Sequence, residues 1–108
     1  MTELNHQNTT DQHPGCPFCH PYDRTDVIME SDSAYAIYDK FPVCRGHVLI
    51  IPKRHCTDYF ELELKEQSAC WALLNEVKEI IQNKFHPEGF NVGININESA
   101  GQTIWHVH

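Results

Sequence analysis

The chain has 108 residues, 41% of them hydrophobic and 21% charged, which suits one domain with a modest core and leaves no room for two. A formal charge of -7 argues against a surface that grips a nucleic-acid backbone, which takes clustered Lys and Arg; any phosphate bound here would be small and locally cradled. No apolar run approaches the roughly 20 residues needed to cross a bilayer and no secretory apolar core follows Met1, so the five cysteines, an odd count, read as reduced thiols of a cytoplasmic protein.

Residues 1–14, MTELNHQNTTDQHP, are almost wholly polar and predict a loose tail, because so little apolar surface cannot offset the entropy lost on ordering. The domain then runs over 15–108. It opens on a knuckle, Gly15-Cys16-Pro17-Phe18-Cys19-His20-Pro21, whose prolines forbid a long regular element. Val27 to Asp39 breaks at Ser31-Asp32-Ser33 into the two arms of a hairpin. After the loop 41–46, His47 to Ile51 is a β-branched run expected at the centre of a sheet and halted by Pro52. From about Leu64 to Phe85, Cys70, Leu73, Leu74, Val77, Ile80, Ile81 and Phe85 recur mostly at three- and four-residue intervals, which predicts one long helix, ended by Pro87 and Gly89. Phe90 to Ile96 alternates apolar and small or polar residues as a strand does, 97–101 turns the chain, and Gly101 to His108 alternates again. The expected class is α+β: a mainly antiparallel sheet of about five strands with one long helix packed on it.

Cys16 and Cys19 are spaced so that a short loop can aim both sulfurs at one metal ion. A redox pair of the thioredoxin kind would open a helix after a buried strand, and incidental buried or surface cysteines are the third reading. With no second thiol pair, histidines must complete a metal site, the candidates being His20, His47, His55, His106 and His108. His106 and His108 are two apart and share a face, so two imidazoles that are neutral near pH 7 stand side by side, able to bind metal, attack phosphorus or pass a proton. A strand histidine standing alone is more often an ordinary polar surface residue. Gly101 permits close backbone approach, whereas alternation puts the Thr103 hydroxyl on the opposite face from the two histidines. Asn95 and Asn97 are either ligand amides or turn formers, and Asp39 either meets a ribose diol or is a solvated hairpin end.

Taken together, Cys16-Pro-Phe-Cys19, Asp39-Lys-Phe-Pro42, Gly46-His-Val-Leu-Ile-Ile-Pro-Lys-Arg-His55, Gly89-Phe-Asn-Val-Gly-Ile-Asn95 and Ala100-Gly-Gln-Thr-Ile-Trp-His-Val-His108 strongly resemble the histidine triad family. The match is to its small bacterial branch with a zinc knuckle, similar to diadenosine tetraphosphate hydrolases, and covers everything after the leading tail. The resemblance implies a nucleotide phosphohydrolase or nucleotidyl transferase acting at the α-phosphate of a dinucleoside polyphosphate or nucleoside phosphoramidate. It makes His108 the nucleophile, with His47 orienting it and the Gly101-Gln102-Thr103 turn donating to phosphate oxygens. It gives Asp39 the ribose, Pro17, Phe18, Ile37 and Phe41 the base, and Asn95 or Asn97 the phosphates. Cys16, Cys19, His55 and His106 would hold a structural zinc, with no catalytic metal. The implied substrate is a purine nucleotide or dinucleoside polyphosphate, and the implied assembly a homodimer paired through the long helix and adjacent strand, with neither nucleic acid nor membrane as partner.

The family's third histidine and the apolar and Pro-Arg positions after it are absent, so the chain reads as truncated inside the motif, with an anionic terminal carboxylate beside the nucleophile. That departure keeps a second function open: a zinc-stabilised nucleotide-binding module with little or no catalysis. A redox or metal-handling protein built on Cys16 and Cys19 ranks third, since it leaves the histidine, proline and glycine landmarks unexplained.

Overall fold

The computed structural model describes residues 13–19 and 26–108; residues 1–12 of the tail expected over 1–14, and His20 among the candidate ligands, lie outside the described residues. Three strands, β1 (Val27–Glu30), β2 (Ala34–Tyr38) and β3 (Val48–Pro52), form an antiparallel sheet in the order β1-β2-β3. The hairpin turns where expected, closed by the Ser31 N–H on the Ala34 carbonyl at 2.8 Å. Helix α1 (Leu64–Phe85) spans the 22 residues that the periodicity marks.

The sheet is covered on both faces, and strand alternation sorts the side chains between them. Ala34, Ala36, Tyr38, Val48 and Ile50 meet Leu73, Val77 and Ile81 of α1. The two alanines, fully buried, let the helix approach closely. Tyr35, Ile37, Leu49 and Ile51 face the other way and pack with Val27, Cys16, Phe18 and Ile104. A bulge between Val27 and Met29 shifts the register of β1, so that Val27 pairs with Ile37 on the second face while Met29 pairs with Ala36 on the helix face.

Two expectations are corrected. β3 lies at an edge of the sheet among the described residues, and β2 is central. The run of apolar residues in β3 reflects cover on both faces, which periodicity cannot tell from neighbours on both edges. Among the described residues the sheet also has three strands, not about five: 90–96 and 101–108 join no ladder. Side-chain alternation is necessary for a half-buried strand but does not supply the hydrogen-bonding edge that makes one. In the last segment the Val107 N–H goes to the Cys56 carbonyl of a loop at 2.8 Å. Alternation nevertheless survives there. His106 and His108 turn their rings to Phe18, while Val107 packs on the other side with Cys56 and Leu62.

The loop before β3 is anchored by Gly46, whose φ of 83° is left-handed and whose Cα is so close to the helix end that a Cβ would meet the Phe85 ring at 3.2 Å. The loop after β3 is anchored by Arg54, which grips the Glu66 carboxylate with Nε at 2.8 Å and Nη2 at 2.9 Å. The same carboxylate accepts the Glu63 N–H at 2.8 Å, capping the first turn of α1. Arg54 holds the Glu66 carboxyl below its ordinary range, and the pair fastens the helix start to the segment that carries His55.

Candidate functional site

The knuckle lies on the sheet face opposite α1. Its first turn closes with the Cys16 N–H on the His13 carbonyl at 2.9 Å, and the Tyr35 hydroxyl donates to the Phe18 carbonyl. Phe18 is buried on Tyr35 and Ile51, which sets Cys16 and Cys19 under the loop after β3.

There they meet two histidines. One ligand atom from each of Cys16, Cys19, His55 and His106 falls within a cluster no wider than 4.8 Å. The Cys19 sulfur is 3.1 Å from His55 Nδ1, and His106 Nδ1 is 3.3 Å from the Cys16 sulfur and 3.6 Å from that of Cys19. Sulfur and nitrogen ligands at tetrahedral zinc distances would be about 3.5 Å apart, so this donor set has the size of such a site. The other nitrogen of His106, Nε2, donates to the Pro52 carbonyl at 2.7 Å, which leaves the Nδ1 lone pair facing the sulfurs.

The electrostatics suit a metal as well. His106 is wholly buried, and burial pushes its pKa down to about 4. Burial, then the nearby His13, also lowers that of His55, so both imidazoles are neutral at pH 7, the form that ligates. Burial raises the Cys19 thiol, as for any anion in a dry place, and a divalent cation is the partner that reverses that cost. The four residues can hold a metal ion.

His108 stands beside this centre. Its half-buried ring lies 5.0 Å from that of Phe18, and its Nδ1–H donates to the His106 carbonyl at 2.8 Å. That bond fixes the tautomer and leaves Nε2 with its lone pair. One residue thus serves both centres: the His106 ring joins the thiols and its carbonyl orients His108.

The remaining candidates divide into engaged and available groups. His47 Nδ1 accepts the Val43 N–H at 3.1 Å and Nε2 faces Asp39 at 3.4 Å, so both nitrogens meet groups of the loop before β3. Asp39 also accepts the Phe41 N–H at 2.9 Å. Phe18 and Ile37 lie together on the sheet face with Leu49 and Ile104, whereas Pro17 is exposed and Phe41 is 87% exposed.

Gln102 holds together the turn before the last segment. Its side chain is buried; Oε1 accepts the Asn97 N–H at 2.7 Å, and Nε2 donates to the Thr57 and Ile104 carbonyls at 2.9 and 3.0 Å. The N–H groups of Gly101 and Gln102 are taken by the Glu98 and Asn97 carbonyls. Gln102 is therefore the clamp of the turn, and the exposed Thr103 is left as its available donor. The clamp has something to restrain: Asn97 sits at φ 75°, ψ 165°, a region that only glycine adopts without strain. Gly101, at φ 97°, lets the Asn95 amide lie against it, 3.5 Å from where a Cβ would be. Sequence reasoning missed Pro52 as the partner of His106, the Arg54–Glu66 pair and the ordered His13. The only signal among them was Glu66, three residues after an acidic helix cap.

Comparison with known proteins gives this geometry its context. The model of the HIT domain matches residues 22–108. The chain belongs to the HIT family. It is 35% identical over 81 residues to an uncharacterized 16.1 kDa HIT-like protein of Mycoplasma pneumoniae, covering 75% of this chain and 56% of that one. It is 31% identical over 85 residues to an AP-4-A phosphorylase of Mycobacterium tuberculosis, covering 76% and 44%. Among solved structures, a HIT family protein from Bacillus anthracis superposes with a TM-score of 0.80 at 34% identity, covering 88% of this chain and 70% of that one. A Zn-bound histidine triad family protein from Mycobacterium smegmatis gives 0.78 at 28%, covering 87% and 70%. The chain spans little more than half the length of the Mycoplasma relative. Among the described residues no helix is long and apolar enough to cross a membrane.

Proposed function

We propose that this HIT-family chain carries the nucleotide site of a nucleotidyl hydrolase or transferase, with His108 as the group that attacks the α-phosphorus of a dinucleoside polyphosphate or nucleoside phosphoramidate. The observation that carries the reading is the bond from His108 Nδ1–H to the His106 carbonyl at 2.8 Å, which leaves Nε2 as the nitrogen that can attack. In the first step Nε2 forms a bond to phosphorus and the bond to the leaving group breaks, its electron pair departing with that group. The ring becomes cationic, and the same carbonyl, accepting from Nδ1–H, stabilises that charge. Water then bonds to phosphorus, the nitrogen–phosphorus bond breaks, and the water proton passes to solvent while His108 regains its lone pair. Phe18 and Ile37 offer an apolar wall for the base, and Thr103 a hydroxyl for a phosphate oxygen.

The metal of this reading is zinc, held by Cys16, Cys19, His55 and His106, a donor set that zinc prefers. Bound there with four protein ligands, zinc supplies a closed cross-link between the knuckle and the last segment. A cytoplasmic homodimer belongs to the same proposal: Phe90 and Val92, about half exposed in the segment after the helix, are apolar surface that a second copy would cover.

Incubation with a labelled nucleoside phosphoramidate, followed by peptide mass analysis, tests the attack. Label on His108, lost in a His108→Ala variant that still binds nucleotide, is the expected result. Binding of nucleotide with no label and no turnover would replace the enzyme with a nucleotide-binding module. Undiminished turnover by His108→Ala would remove His108 from the chemistry.

A further inference from the structure

His13 precedes the thiol pair, in a stretch whose composition predicts no order, yet it touches three of the four donor residues. Its carbonyl accepts the Cys16 N–H at 2.9 Å, and its main chain also hydrogen-bonds the Cys19 thiol. Its ring lies flat on that of His55, with centroids 3.7 Å apart and planes at 14°. His13 itself lies outside the donor cluster.

The other imidazole of the cluster, His106, is fixed by the Pro52 carbonyl on the nitrogen away from the sulfurs. His55 comes from the loop after β3 and meets Cys19 through Nδ1; its ring is stacked in parallel by His13 and stands perpendicular to that of His106, with centroids 5.2 Å apart. A flat stack constrains the tilt of a ring while leaving its nitrogens free, whereas an edge contact alone does not.

We propose that His13 is a positioning residue of the metal centre: stacked on His55, it holds that ring with Nδ1 turned to Cys19 and closes the exposed side of the site. This rests on the reading of Cys16, Cys19, His55 and His106 as metal ligands. The stacked face of the ring is what this role uses, so another flat side chain should serve. The backbone bonds of residue 13 persist when the ring is removed.

The test is zinc release from the purified full chain into a chromophoric chelator, with zinc per chain measured beforehand. Aromatic contacts of this kind predict that His13→Ala releases zinc roughly three- to tenfold faster at equal starting content, and that His13→Phe restores the wild-type rate. Equal rates for wild type and His13→Ala would overturn the proposal while leaving the metal site intact. Fast release by both variants would make His13 a ligand rather than a support, and would overturn it too. Wild-type protein that takes up no zinc would instead defeat the ligand reading on which it stands.

Discussion

The two faces of the sheet are built from the same strands by different means. Toward α1, β2 and β3 present Ala34, Ala36, Val48 and Ile50 to Leu73, Val77 and Ile81, a surface held by apolar burial. Toward the knuckle, the alternate residues Tyr35, Ile37, Leu49 and Ile51 support Phe18, and above it the chain places thiols, imidazoles and hydrogen-bonded carbonyls. The first face needs nothing but close packing. The second brings 13–19, the loop at 52–56 and the last segment together, segments too short and irregular to bury a core of their own. The difference teaches where the protein can do chemistry: polar donors gather where short segments meet over an apolar floor, not where a helix and a sheet pack closely.

Removing the metal should give the largest effect. At free zinc roughly a thousandfold above Kd, binding to the folded chain alone adds about 4 kcal/mol, which chelation or a Cys19→Ser variant should remove. Hydrogen exchange is expected to rise over 13–19 and 101–108 while the centre of α1 remains protected. If both faces lose protection together, the sheet and knuckle are one cooperative unit and the contrast drawn above dissolves.

The complementary change is Leu73→Ala, which deletes a fully packed side chain on the helix face and should cost about 3 kcal/mol in denaturant unfolding. Its zinc content is expected to match that of the wild type. A fall in bound zinc would mean that the helix face also governs the knuckle.

A smaller effect tests the tie between the two faces. Glu66→Gln weakens the grip on Arg54 and should cost about 2 kcal/mol at pH 7, as charge-assisted hydrogen bonds do. Arg54 lowers the Glu66 pKa in the folded state, so this stability is present above the unfolded value and lost as pH falls through the folded one. The gap between wild type and variant, measured by thermal melts, should therefore be full at neutral pH and shrink as pH falls below the ordinary carboxylate range. A gap independent of pH would assign the loss to packing and not to charge.

Particular residues mark how far the sequence could be read. The helix was legible to both ends because its packing needs only a repeating apolar stripe, a property of neighbours three and four apart. The hairpin was legible because Ser31-Asp32-Ser33 interrupts the alternation. The last two strands were overread, since alternation reports which way side chains point and not which backbone pairs with which. The contacts of Gln102 were hidden for a related reason: a glutamine in a turn looks available, and only the fold shows its amide bonded to Asn97, Thr57 and Ile104.

By itself the sequence determined the helix, the hairpin, the two-residue spacing of Cys16 and Cys19 and the shared face of His106 and His108, all of them consequences of covalent geometry over a few residues. Only the tertiary structure decided which histidines meet the thiols and which nitrogen of each ring faces inward. Those choices depend on groups 36 to 90 positions apart in the chain. No local pattern encodes such distances, because they are set by the two covered faces of the sheet.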